Sequence, residues 1–306
     1  MPTRRHALMM LPALALTACA APRAIEAGTA GARAASPVDG TAPADDAAAA
    51  NAVATAPAQS PGAPHGAAIA RPSAAEMVER FGGRRPRGWG LDLAGVVTRT
   101  GSGSVALTFD ACGGPGGSSI DQRLLAALRK NKVPATLFLN ARWIAANPGL
   151  SGELAADPLF ELADHGTAHR PLSVTGRAAY GIPGTASVAA AYDELVSNRQ
   201  HLELLVAQPS PWYRPGTAYY DDVAVDLVRA LGLVPVNFAV NGDGGATFTP
   251  TQVVDAVGAA RPGDIVISHL NRPASGTAAG YEAVLPRMLD RGVAFATLSR
   301  AGAAHV

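Results

Sequence analysis

Several apolar runs in this chain each stop on one polar residue and pass at once into a turn. The stretch VALTFDACGG ends its run on Asp110, WYRPGTAYY carries Arg214, and DIVISHLN ends on His269. Short apolar runs separated by longer helical patterns read as strands of a parallel sheet buried on both faces, and strand ends opening into loops are where such sheets place chemistry. Strands are expected at 105–110, 135–139, 159–164, 212–214, 234–240, 265–268 and 293–298. Between them, Ile120, Leu124 and Leu128 mark one helical face, and helices are expected over 186–206, 221–231, 250–260 and 280–291. Strands alternating with helices imply right-handed crossovers, so the pattern predicts an α/β fold curling into an incomplete barrel.

The chain's first 73 residues cannot belong to that core. Arg4 and Arg5 precede the apolar stretch 7–18, which is shorter than the roughly 20 residues a membrane-spanning helix needs and suits a signal peptide. Leu16-Thr17-Ala18-Cys19 is similar to a bacterial lipobox, which makes Cys19 the expected lipidated N-terminus. An ordinary signal peptide ending by chance at a cysteine is the alternative, and Thr3-Arg4-Arg5 also admits a twin-arginine route. Ala20 carries no acidic retention signal, which favours the outer membrane where one exists. Residues 20–73 are Ala, Pro, Gly and Asp with almost no large apolar side chain, so they are expected to form a disordered linker. The expected organisation is a lipoprotein signal at 1–19, the linker at 20–73, an extension at 74–104 anchored by Trp89 and Leu91, and the catalytic domain at 105–306. A formal net charge of +1 gives no argument for nucleic-acid binding. No obligate protein partner is evident.

His165 and His169 enclose the small residues Gly166, Thr167 and Ala168, and the turn NGDGG carries Asn241 and Asp243. Taken in chain order with Asp110, Arg214 and His269, these residues resemble the five motifs of the NodB-type polysaccharide deacetylases, carbohydrate esterase family 4. The resemblance runs from about Val105 to Ser299. It implies a distorted, incomplete (β/α)7 barrel, and the choice of seven strands rests in part on it. It further implies a hydrolase that removes acetyl groups from an acetylated polysaccharide of the cell envelope or beyond, with a divalent metal. Asp110 aligns with the general base, Arg214 with the arginine that holds that base, and His269 with the general acid. Asp243 is preferred to Asn241 as the partner of His269, because a carboxylate stabilises an imidazolium better than an amide. His165 and His169 align with metal ligands, and Gly216 or Thr217 would offer the oxyanion N–H.

Besides an NGDGG turn that does not align cleanly with the family's DxxDW, this chain departs from the family pattern at three places. Gly166 stands where Ser or Thr usually follows the first histidine, Pro215-Gly216-Thr217 replaces Pro-Tyr, and Ala111 replaces the aspartate that normally supplies the third metal ligand. Alanine binds no metal, so the site holds two histidines and water, recruits another residue, or has become a glycan-binding domain without activity. Residues two apart on an extended chain face the same side, which makes Cys112 the candidate recruit and zinc the expected ion. Cys112 read as a small buried hydrophobe is the alternative, and the second of the two cysteines, Cys19, is expected to be acylated rather than disulfide-bonded. A metal-dependent amidase acting on a non-sugar amide is a further reading. Tyr219, Tyr220, Trp212 and Tyr281 are candidates for a sugar platform or for core.

Overall fold

The computed structural model describes residues 71–302. The expected signal peptide, the lipidation site Cys19 and nearly all of the expected linker lie outside the described residues. Seven strands form one parallel sheet: β1 Ala106–Ala111, β2 Ala135–Leu139, β3 Phe160–Asp164, β4 Trp212–Tyr213, β5 Val234–Pro235, β6 Val240–Asn241 and β7 Ile265–His269. Their spatial order is β5-β4-β3-β2-β1-β7-β6, and the sheet curls into a half-barrel. Crossover helices Gln122–Lys130, Ala141–Ala146, Pro148–Ala156, Val188–Leu205, Asp222–Ala230 and Pro250–Gly258 link the strands, and Thr277–Asp290 follows the last one.

Strand alternation places the site. Every residue of β1 is buried. Val105, Leu107, Phe109 and Ala111 join the core beneath the helices with Leu124 and Leu285, whereas Ala106 on the opposite face packs with Phe138 and Trp212. Thr108 and Asp110 share the face of Ala106 because side chains repeat every second residue. Several helices start on side-chain caps: Asp121 Oδ1 accepts from Leu124 N at 3.1 Å, and Thr249 and Gln252 form a reciprocal capping box. Among the described residues, no helix is long and apolar enough to cross a membrane.

The strand count matches the expectation, but two of its members differ. The run 234–240 is not one strand: β5 pairs with β4 at one edge of the sheet and β6 pairs with β7 at the other. Between them Asn237 N donates to Val97 O at 2.8 Å and Ala239 N to Ile265 O at 2.9 Å. The run crosses from one sheet edge to the other without keeping one partner, with Val236 and Asn237 buried, Phe238 half-buried and Ala239 exposed, and hydropathy does not report pairing. The run 293–298 makes only a bridge between Phe295 and Val105. By Leu298 its N–H donates to the Thr136 hydroxyl at 2.9 Å in place of a backbone ladder.

The extension also differs in detail. Ser73 and Glu76 cap the helix Ala74–Phe81, which packs on the helix Val188–Leu205. Met77 and Phe81 are its buried anchors, at 3% and 2% exposure. Trp89 and Leu91, the expected anchors, are half-buried: Leu91 borders the cavity described next, and Trp89 packs between Tyr219 and Arg177.

Candidate active site

The carboxylate at the end of β1 is buried and paired. Arg214, itself fully buried at the end of β4, donates from Nη1 to Asp110 Oδ1 at 2.8 Å and from Nη2 to Asn237 O at 3.0 Å. The Phe138 ring lies 4.3 Å from the guanidinium carbon, fixing its plane. Burial pushes the Asp110 carboxyl up, but the charges of Arg214, His165 and His269 outweigh it and hold the group below the usual carboxylate range. Asp110 is therefore an ionised acceptor facing the cavity.

Next to it stand three metal-type donors. The ligand atoms of Cys112, His165 and His169 all lie within 4.8 Å of one another. His165 Nδ1 donates to Arg214 O at 2.8 Å, since a carbonyl only accepts, which leaves Nε2 to face Cys112 Sγ at 3.8 Å and Asp110 Oδ2 at 3.7 Å. The two imidazole rings meet edge to face with centroids 5.0 Å apart. Cys112 is a free cysteine. Burial pushes its thiol up, yet the charge of His169 and hydrogen bonds from the histidines bring it well below the usual thiol range. Ala111 sits in the core and faces away. Two imidazoles and one thiol converging at the end of buried strands fit a divalent ion with a position left open towards the cavity.

The fourth element comes from β7. Asp243, fully buried, accepts His269 N on Oδ2 at 2.7 Å and faces His269 Nδ1 with Oδ1 at 3.0 Å. Burial alone lowers the imidazole; the Asp243 charge and hydrogen bond override it and raise His269 well above its ordinary value. Asn241 does not compete for this place, because its Oδ1 accepts Gly244 N at 2.9 Å and holds the turn. Thr277 Oγ1 adds a hydrogen bond to Asp243 Oδ2 at 3.1 Å. The sequence reading missed Thr277, having begun the last helix at Gly280 rather than Thr277.

Residues 98–236 match the family model for polysaccharide deacetylase. That stretch is similar to polysaccharide deacetylases over somewhat less than half of the chain. A family 4 carbohydrate esterase from Streptomyces lividans, solved in complex with acetate, is 25% identical and superposes with a TM-score of 0.54, covering 66% of this chain and 95% of that one. The same fold occurs in a family 4 pseudoenzyme from Bacillus anthracis, at 21% identity and a TM-score of 0.56 over 68% of this chain and 69% of that one. A mutant of that pseudoenzyme with restored enzymatic activity is 22% identical, with a TM-score of 0.56 over 68% and 72%. The uncharacterized protein YlxY of Bacillus subtilis is 22% identical over 189 residues, 60% of this chain and 53% of that protein, so the match spans about half the length of that curated relative.

Asp110, Cys112, His169, Thr217 and His269 all border one cavity of about 420 Å³. Thr217 and Ala218 form part of its wall with left-handed backbone at φ 71° and 62°. Gly216 lies beneath His169 instead: a Cβ there would sit 2.2 Å from the His169 carbonyl carbon, so close backbone approach demands glycine. Of the oxyanion candidates, Thr217 borders the cavity. Of the four platform candidates, Tyr220, Trp212 and Tyr281 are buried and hydrogen-bonded inside the domain. Tyr219 alone is half-buried, with Trp89 and Tyr180 each 5.5 Å from it between ring centroids, and of these three rings Tyr180 borders the cavity. Tyr180, 75% exposed at φ 52°, is an aromatic that sequence reasoning did not single out.

Proposed function

We propose that this chain is a zinc-dependent hydrolase that removes acetyl groups from an acetylated polysaccharide. The observation that carries this reading is that Asp110, paired with Arg214, and His269, paired with Asp243, border one cavity with Cys112 and His169, and that His165 stands beside those two donors. The solved esterase bound to acetate supports acetate as the leaving product. His165, His169 and Cys112 would hold the ion, and two nitrogens with one thiolate suit zinc. Bound there, zinc would polarise the acetyl carbonyl and acidify a water.

The protein's own groups perform the proton transfers. Asp110, kept ionised by Arg214, takes the proton of the attacking water. His269, kept protonated by Asp243, gives one to the departing amine or alcohol. Thr217 supplies the backbone donor on the side where the oxyanion develops. The exposed ring of Tyr180, at the cavity's edge and braced by Tyr219, offers an apolar face for stacking a sugar ring.

Ala111 and the likeness to a pseudoenzyme favour a second reading, in which the same groove holds glycan without cutting it. The deciding experiment measures zinc stoichiometry together with acetate release from N-acetylated and O-acetylated oligosaccharides and from simple acetamides. Acetate from the sugars supports the deacetylase. Glycan binding with no acetate from any substrate supports the second reading, and release from acetamides alone an amidase. We propose further that the protein is exported and lipid-anchored at Cys19, on the strength of its N-terminal sequence. An unmodified mature protein beginning elsewhere, seen by intact mass, would remove that proposal.

A further inference from the structure

One buried carboxylate beside the site takes no part in the reaction described above. Glu194, on the helix Val188–Leu205, is 4% exposed. Its oxygens face the loop that carries both histidines: Ala168 N donates to Oε1 and to Oε2 at 2.9 Å each, and Arg170 N to Oε1 at 3.2 Å. Thr167 Oγ1 donates to the backbone O of Glu194 at 2.8 Å, tying the same loop to the same helix turn. The residue between the two clamped N–H groups is His169, whose backbone is left-handed at φ 59°. A histidine held in that conformation needs its neighbours fixed from outside.

Gly166 shows that the clamp is built into the chain. A Cβ at Gly166 would lie 2.6 Å from Glu194 Oε1, and its φ of 73° already disfavours a side chain. The absence of a side chain at Gly166 is what admits the Glu194 carboxylate. From the opposite side, Asn140 Nδ2 donates to His165 O at 2.9 Å and to Gly166 O at 2.7 Å. The start of the loop is thus held by Asn140 and its end by Glu194.

We propose that Glu194 is a positioning residue for the metal centre: it fixes the backbone on both sides of His169 and so aims that imidazole at His165 and Cys112. This rests on the metal-centre reading given under Proposed function. The role belongs to the carboxylate's reach rather than to its charge, because its oxygens end on backbone N–H groups. Three proteins separate these: wild type, Glu194→Gln and Glu194→Asp. Zinc affinity is measured by competition with a chromophoric chelator, the visible absorption of the cobalt form reports ligand geometry, and thermal melting of the metal-free proteins reports folding. Glutamine keeps an acceptor at full reach, so E194Q should bind zinc within about 3-fold of wild type and keep the cobalt spectrum. Aspartate keeps the charge but withdraws it by one methylene, so E194D should lose about 10- to 100-fold in affinity, the usual weight of a group that orients a metal ligand. The reverse order would show that charge matters and reach does not, and overturns the proposal. So do two variants that melt lower yet bind zinc like wild type, which would make Glu194 a folding residue only. A wild-type protein that binds no zinc defeats the metal-centre reading itself, and the two failures are thereby distinguishable.

Discussion

Asp243 holds His269 at two points, accepting its backbone N–H at 2.7 Å and facing its Nδ1 at 3.0 Å. The first contact fixes where β7 ends and the second fixes the ring, so tautomer and orientation are set together. Because the Asp243 charge raises the His269 pKa, the proton-bearing form persists to higher pH and is lost as pH rises through that raised value. Asp243→Asn removes the charge but keeps an acceptor. The alkaline limb of the kcat profile should move to lower pH, while His269→Ala should cost about 10²- to 10⁴-fold in kcat. An alkaline limb unmoved in D243N would separate Asp243 from the acid function.

The pair of Asp110 and Arg214 joins chemistry to folding. Asp110→Asn keeps an acceptor for the guanidinium but cannot take a proton from water, so acetate release should vanish with zinc binding largely intact. Asp110→Ala leaves a fully buried guanidinium without its carboxylate, which costs about 3–5 kcal/mol. Chemical denaturation of the two variants checks the difference. For the metal-free protein the pair's contribution is complete above the ordinary carboxylate range and is lost as pH falls through the depressed pKa of Asp110.

Phe81 tests whether the extension is part of the α/β domain. Its ring, 2% exposed, sits in one core cluster with Leu195, Tyr213 and Leu227, and the Arg80 and Arg84 guanidinium carbons lie 5.0 and 5.4 Å from its centroid. Phe81→Ala should destabilise the whole domain by about 3–5 kcal/mol in one cooperative transition. A separate early transition would make the helix Ala74–Phe81 an independent appendage.

What the sequence revealed follows from how local each signal is. Asp110, Arg214 and His269 each end an apolar run, so a short window exposes them, and the histidine pair at 165 and 169 lies within one loop. Asp243 and Asn241 share one turn and could be ranked only by the chemistry of carboxylate against amide; the hydrogen bonds now give each its own task. Glu194 was invisible because a glutamate within a helical pattern reads as a solvated face, and its partners lie 24 to 26 residues away. Tyr180 was missed for a similar reason, since its contact is with Tyr219. The run 234–240 misled because a continuous apolar segment serves equally as one strand or as a crossing between two sheet edges.

Cys112 decides whether the loss of the usual aspartate at position 111 abolished metal binding or moved it by one residue. Strand alternation turns Ala111 into the core and Cys112 towards His165 and His169, so the donor has a place from which to act. If the thiolate is a ligand, Cys112→Ala leaves two imidazoles and should fall below one zinc per chain at micromolar free metal. Cys112→Ser, a far weaker donor, should fall with it. Cys112→Asp restores an anionic donor of harder character, so it should recover metal binding with preference shifted from zinc towards cobalt or manganese. Inductively coupled plasma mass spectrometry after dialysis reads the stoichiometry of all three, and acetate release reads the consequence. Full zinc occupancy and full rate in both C112A and C112S would reduce Cys112 to a small buried filler, and the ion would then rest on His165 and His169 alone.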